Sequence, residues 1–462
     1  MAVRKVAVFT GSFDPPTAFH RRVAKSLRDR GFDEVVVRPT VPRDGSPDGE
    51  HATPIHRAAM VDLAFRDLPG VVVDPGDLDE GVSLDDYCFD ELYASRGEVW
   101  HVVAAEFLAD GGEEQSLIHT RWEKGSDLWH RGRFVVLHPS GNPPDAADLP
   151  PTCQLIPADG HVPTAEIRVR VFEGGEAAPD VPEDVAAYIK RYRLFTGIPS
   201  PRETRIKLDD ARLMIVVDEA NPRARDVAER FRSSQSDQPS AILVLGGDGT
   251  MLATIRKHWR RRLPFIGLNA GTLGFLMNEE LPESLSGQEL VLYRMPMLRV
   301  DTTAVDGATT RGLAYSDAWV ERDSGQAAWL RMDVDGRIQV PKVVGDGLLV
   351  ATPSGSSAYA RAMGATPVPL TAPVLTLAGS NIFRPRFWKP VALPESAVVR
   401  ISNLDTTGKR PVRAFLDGHL VGLVQAMEVR VSSVAAVELA FTPQFDLSER
   451  LLRSLFPPNE EM

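Results

Sequence analysis

Two short apolar runs, each ending in a glycine turn and followed by helix-forming sequence, constrain this chain more than any other feature. Residues 3–9 lead into Gly11, Ser12 and Phe13, and residues 241–245 lead into Gly246, Gly247, Asp248, Gly249 and Thr250. A short continuous apolar strand entering such a turn is the form of a buried parallel strand in an α/β layer. The pattern occurs twice in 462 residues, and a single core rarely grows beyond about 250–300 residues. Two α/β domains are therefore expected.

The rest of the chain extends both units. After the first turn a helix is expected from about Thr17, ended by Gly31, with Val35, Val36 and Val37 as the next strand, so the opening reads βαβ. Further strands are expected at 71–73, 99–103 and 134–137. Val185, Tyr188, Ile189 and Tyr192 fall at i, i+3, i+4 and i+7 and form one helix face. The polar stretch 197–211, with Pro199 and Pro201, reads as a linker between a domain over 1–196 and another over 212–456. A second βαβ pattern begins at Leu213. Beyond Arg299 short alternating runs with frequent Gly and Pro predict a mostly β subdomain.

Composition narrows the partners. The formal net charge of -11 argues against nucleic acid, whose phosphates need a basic face. Cys88 and Cys153 form no metal-ligand spacing or disulfide framework, which suits a reducing, cytoplasmic compartment. His51 and His56 lack a carboxylate pair at helical spacing, so no metal site is expected. No apolar stretch reaches membrane-spanning length. A basic cluster, Arg256, Lys257 and Arg260 to Arg262, follows the second turn; it reads as a solvated helix face or as an attractor for ATP or polyphosphate.

Each glycine turn carries its own chemistry. At the first, Gly11 lets the chain turn sharply, and Thr17 and His20 share a face of the first helical turn. A cationic or donor imidazole there can stabilise charge on transferred and leaving phosphates. Phe19, one position before His20, is expected to point away from the loop. At the second, the glycines open the backbone to a diphosphate, and Asp248 can act as base or orienting acceptor for a sugar hydroxyl attacking a γ-phosphate. No Gly-x-x-x-x-Gly-Lys-Ser/Thr loop is present, which disfavours a Walker-type ATPase.

The string Gly-Ser-Phe-Asp-Pro-Pro-Thr-Ala-Phe-His at 11–20 resembles the nucleotidylyltransferase signature, and this half looks like the nicotinate or nicotinamide mononucleotide adenylyltransferases. His56-Arg57-Ala58-Ala59-Met60, the segment Pro163 to Arg168, and Val181-Pro182-Glu183-Asp184-Val185 with Tyr188-Ile189 carry the likeness over roughly 3–196. It implies a Rossmann-like fold with Gly11, Ser12, Phe13, Thr17, His20 and Arg168 at the phosphates. Phe19 replaces a glycine of the pattern, Ala104-Ala105-Glu106 replaces Gly-Ala-Asp, His138-Pro139-Ser140-Gly141 replaces Arg-Pro-Gly, and Ala165 removes a hydroxyl. Two readings stay open: a working transferase, or a degenerate nucleotide-binding domain that regulates or assembles its neighbour.

The second half resembles the NAD kinases. Gly-Gly-Asp-Gly-Thr alone is shared with lipid kinases and some phosphofructokinases. The discriminating strings are Asn269-Ala270-Gly271-Thr272-Leu273-Gly274-Phe275-Leu276 and the fifteen residues 345–359, Gly-Asp-Gly-Leu-Leu-Val-Ala-Thr-Pro-Ser-Gly-Ser-Ser-Ala-Tyr. The likeness spans about 212–445 and includes Asp417-Gly418. It implies Asp248 as catalytic carboxylate and Gly246, Gly247, Gly249 and Thr250 at phosphates. Asn269, Phe275, Asp346, Ser357, Ala358 and Tyr359 would line the dinucleotide pocket. Ser316-Asp317 stands where the family carries Asn-Glu, which shortens both side chains. Together the two resemblances imply a fused enzyme that makes NAD from ATP and a pyridine mononucleotide and phosphorylates it to NADP. They also imply Mg²⁺ arriving with ATP, and a homo-oligomer formed through the kinase domain.

Overall fold

The computed structural model describes residues 3–41, 51–271, 274–405 and 407–455. The chain divides into two compact units, Met1–Pro201 and Arg202–Met462.

The first unit is built on six strands: β1 (Lys5–Gly11), β2 (Glu34–Pro39), β3 (Val71–Val73), β4 (Glu98–Ala104), β5 (Phe134–His138) and β6 (Cys153–Pro157). They lie in the order β3-β2-β1-β4-β5-β6, every neighbouring pair parallel. This is the doubly wound order of a Rossmann-like fold, and the crevice where the order reverses lies between β1 and β4. Val6, Ala7, Val8, Val35, Val36 and Val37 are buried from both faces, which is why the strands read as unbroken apolar runs. The helix Glu183–Tyr192 buries Val185, Tyr188, Ile189 and Tyr192, and the Tyr188 hydroxyl meets His56 Nδ1 at 3.0 Å.

In the second unit, β8 (Leu213–Val217), β9 (Ala241–Gly246) and β10 (Phe265–Asn269) run parallel. Two long strands, β11 (Gln288–Ala304) and the strand His419–Phe441, then carry the sheet onward, and β10 pairs with the second of these at Leu439 and Ala440. The α/β part and the mostly β part thus share one mixed sheet of fifteen strands.

The expected linker 197–211 is corrected. It contains β7 (Glu203–Leu208), which pairs antiparallel with β11 from Gln288↔Leu208 to Tyr293↔Glu203. Glu203, Arg205 and Lys207 are exposed while Thr204 and Leu208 are buried. An edge strand with a charged outer face is as polar as a linker, because the charges discourage further strand pairing. The second unit therefore starts at Arg202. A fragment 202–462 is expected to unfold in one cooperative urea transition, and 209–462, which lacks β7, at lower urea. Equal midpoints would show that β7 adds nothing.

Candidate functional site

In the second unit the helix Asp248–His258 follows β9 directly, with Gly247 as its N-cap, so the carboxylate of Asp248 sits at the helix start. The first amides of a helix have no intrahelical acceptor and present partial positive charge to an anion. Asp248 Oδ2 accepts from Phe275 N at 2.8 Å and Oδ1 from Leu276 N at 3.0 Å, so two main-chain donors aim the carboxylate. Burial pushes its pKa above the ordinary carboxylate value, against the opposing pull of these amides and of Arg450. Asn269 pairs in register with Gly246 across β10 and β9, and its Oδ1 accepts from Gly271 N at 2.9 Å. Thr272 and Leu273 lie outside the described residues.

The 345–359 segment forms a second wall. Asp346 accepts from Arg322 Nε at 2.6 Å and Asn381 Nδ2 at 2.7 Å, and these bonds hold its carboxyl below the ordinary range. Thr352 Oγ1 donates to the Tyr315 carbonyl at 2.8 Å, and a Cβ on Gly355 would run into the carbonyl of Ser316, so only glycine lets the segment lie this close. Ser357 Oγ donates to Ser354 O at 3.2 Å; Ala358 and Tyr359 are exposed. The Tyr359 ring stands edge-on to Trp319 at 5.1 Å. Its phenol is pushed up by partial burial and then by Glu321, with Asp317 and Asp346 adding to the effect. Ser316, Asp317, Asp346, Ser357, Ala358 and Tyr359 are thus brought together.

Asp417 ties this wall internally, accepting from Tyr315 N and Ser316 N, each at 2.7 Å, and from Asp317 N at 3.2 Å. Asp317, 5% exposed, is raised to about 7 by burial and then by Asp417. Since its unfolded value is about 3.9, the native state holds a proton that the unfolded chain releases. That stability is full below about pH 4 and is lost as pH rises through 7, by about 4 kcal/mol in total. Asp317→Asn is expected to flatten this fall. Urea midpoints for the kinase unit at pH 6 and 8.5 check it; an unchanged pH slope would refute it.

Tyr315 joins the two walls. Its ring packs in one core cluster with Met251, Leu276 and Met277, and its phenol is raised by burial, with Asp248 and Asp417 also holding the proton on. The buried hydroxyl has no hydrogen bond of normal geometry. The basic cluster is partly spent on structure: Arg256 binds His419 and the Asp417 carbonyl, and Arg262 binds the carbonyls of Val434 and Ala436.

In the first unit the 11–20 segment sits at the carboxyl end of β1, beside Ala104 and Ala105 at the end of β4. Gly11 does not make the turn, contrary to expectation: it closes β1, and the left-handed residue is Phe13, φ 44°, whose fully buried ring offsets the backbone strain. Arg57 donates to the carbonyls of Ser12 and Thr40, and Arg168 Nη1 to the Asp14 carbonyl at 2.7 Å. Thr17 caps the helix Ala18–Asp29 in a reciprocal box with His20: His20 N donates to Thr17 Oγ1, and Thr17 N donates to His20 Nδ1 at 3.0 Å.

The cationic option for His20 is corrected. Burial, and secondarily His161, lowers its pKa to about 3, so the imidazole is neutral. Because Nδ1 faces the Thr17 amide and hydroxyl, the proton resides on Nε2, which leaves one donor for a phosphate oxygen. Phe19 packs toward His161. Its ring lies 5.8 Å from His20 and 5.0 Å from His161, edge-on to both, and packs on the core.

A model of cytidylyltransferase-like proteins matches residues 8–137, and one of the ATP-NAD kinase N-terminal domain matches 178–286. The NAD kinase of Brucella suis biovar 1 is 36% identical over 236 residues, which are 50% of this chain and 91% of that protein. That of Cereibacter sphaeroides ATCC 17029 is 38% identical over 237 residues, again 50% and 91%. The chain belongs to the NAD kinase family. Ahead of its NAD kinase domain it carries a cytidylyltransferase-like domain. A solved NAD kinase from Archaeoglobus fulgidus in complex with ATP aligns over 53% of this chain and 96% of that one, at 21% identity and TM-score 0.40.

In the NAD kinase domain, reading by motif found the glycine turn before Asp248 and the 345–359 wall. It missed the amides of Phe275 and Leu276 as the holders of Asp248, the bridging Tyr315, and Arg450 beneath them. Main-chain donors leave no mark in a sequence, and Arg450 stands alone near the chain's end. Among the described residues no group of three or more His, Cys, Asp or Glu converges to hold a metal, and no helix is long and apolar enough to cross a membrane.

Proposed function

We propose that this chain performs two successive steps of dinucleotide synthesis. Its first unit joins the adenylyl group of ATP to nicotinate or nicotinamide mononucleotide, and its second phosphorylates NAD at the adenosine 2′-hydroxyl. The observation that carries the kinase step is the pair of amides, from Phe275 and Leu276, aiming Asp248 at the start of a helix. Asp248 takes the proton of the 2′-hydroxyl as its oxygen attacks the γ-phosphorus, and ADP leaves. The free amides around Gly249 and Thr250 hold phosphate oxygens. Asn269, Phe275, Ser316, Asp317, Asp346, Ser357, Ala358 and Tyr359 line the dinucleotide seat. Mg²⁺ would arrive with ATP and supply charge neutralisation at its phosphates, since among the described residues no cluster of His, Cys, Asp or Glu is placed to hold it alone.

In the first unit the mononucleotide phosphate attacks the α-phosphorus of ATP and pyrophosphate departs. His20 Nε2–H and Arg168 face the growing charge, with Gly11 closing β1 and Ser12, Phe13 and Thr17 in the turn that follows. The position at the β1/β4 crevice supports this step. The Phe19 ring between His20 and His161 favours a second reading, a nucleotide-binding domain that regulates the kinase without transferring AMP. The test supplies full-length protein with Mg²⁺, ATP or polyphosphate, and each mononucleotide or NAD, and resolves products by chromatography. NADP from NAD with no dinucleotide from either mononucleotide would leave the kinase reading and remove the transferase.

A further inference from the structure

Arg450 belongs to the helix Leu447–Leu455 and is 8% exposed. Its Nη2 donates to the carbonyls of Gly274 and Met277, the latter at 3.0 Å, and its Nη1 pairs with Glu279. The guanidinium also lies 5.6 Å from the Phe445 ring, which stacks on Phe441 at 4.1 Å. These two carbonyls bracket the Phe275 and Leu276 amides that hold Asp248. One buried cation, carried in from the far end of the chain, thus fixes both ends of the segment that aims the carboxylate.

We propose that Arg450 is a positioning residue for Asp248: by bracing the Gly274 and Met277 carbonyls it fixes the two amides, which makes the C-terminal helix part of the phosphoryl-transfer machinery. A guanidinium suits the task because its planar fork spreads donors in a fixed geometry over two carbonyls and a carboxylate, whereas an ammonium gathers its three rotatable donors at one point. It acts in two separable ways, through the geometry of the amides and through its charge. Arg450 is the cation that pulls Asp248 toward ionisation. The other ionisable groups facing this corner are the Tyr315 phenol and Asp417 from the neighbouring wall, and Glu279 beside Arg450 itself. None of these supplies a replacement positive charge.

The inference rests on Asp248 as the base, and the test separates the two. In the full-length protein, R450M is expected to lower kcat for NADP formation about tenfold to thirtyfold, as a misaimed catalytic group does. KM for NAD should stay within about threefold, since no substrate contact is removed. The acid limb of the kcat–pH profile should move to higher pH, because Asp248 loses its cation. R450K keeps the charge and loses the fork, so its limb should return to the parent position while kcat stays low. Parent-like kcat in either variant, or a fall in R450M with the limb unmoved, overturns the proposal. If R450M fails to fold, R450K decides: a lowered kcat with the limb at the parent position supports the proposal, and a parent-like kcat or a limb moved to higher pH overturns it. Near-normal turnover in Asp248→Asn would instead sink the base reading, whatever Arg450 does.

Discussion

Asp248→Asn is expected to lower NADP formation by about 10²- to 10⁴-fold, the range for loss of a positioned general base, while NAD still binds. The carboxylate's two oxygens each accept one amide, from Phe275 and Leu276. An asparagine keeps one acceptor but turns an NH₂ toward the other amide, so one bond of the pair is lost and the side chain can take no proton. The helix and the 345–359 wall do not depend on the charge, so calorimetric affinity for NAD should change little. The parent enzyme should show an acid limb above the ordinary carboxylate range, since burial raises Asp248. Protonation below that limb removes the base, and the variant should lack the limb. Near-normal turnover in the variant would take Asp248 out of the mechanism.

The second large effect is expected in the first unit. His20→Gln should reduce dinucleotide synthesis by about 10² or more, because one donor to developing phosphate charge disappears. Glutamine is the informative replacement: it can still accept the Thr17 amide as the third helical residue of a capping box, so the helix start survives. An alanine would leave the Thr17 amide without that acceptor, although Thr17 Oγ1 would still cap the amide of residue 20. With its pKa lowered to about 3, His20 contributes no titration between pH 5 and 8, and the parent rate should carry no limb from it there. A rate that falls as pH rises through 6.5 would show an imidazolium at work instead. Phe19→Gly decides between the two readings of this unit. An unchanged or higher rate over an active parent keeps the transferase; an inactive parent rescued by the glycine shows that the ring blocks the site.

The elements differ in how openly they were written. β1, β2, β5 and β9 each carry a short apolar run buried on both sides of its strand, and such runs are visible without a partner. β6 and β7 were not visible. β6 has an exposed residue at Leu155 and a single fully buried one at Ile156, and β7 alternates charge with burial at a sheet edge. What marks them as strands is the neighbour they pair with, Phe134 to His138 in one case and Gln288 to Tyr293 in the other.

The same division runs through the candidate sites. Part of the local chemistry was legible: glycines before a helix at 246–249, and Thr17 and His20 three apart at a helix start. Each is decided by neighbours a few residues apart or by a residue type no other can replace, so the order of amino acids suffices. The protonation state of His20, the raised carboxyl of Asp317, the rotation of Phe19 toward His161, and the clamp of Arg450 around the amides of Asp248 were decided only by tertiary structure. Burial and electrostatic interaction depend on which distant groups share a volume, and main-chain donors look alike at every position until the fold aims them.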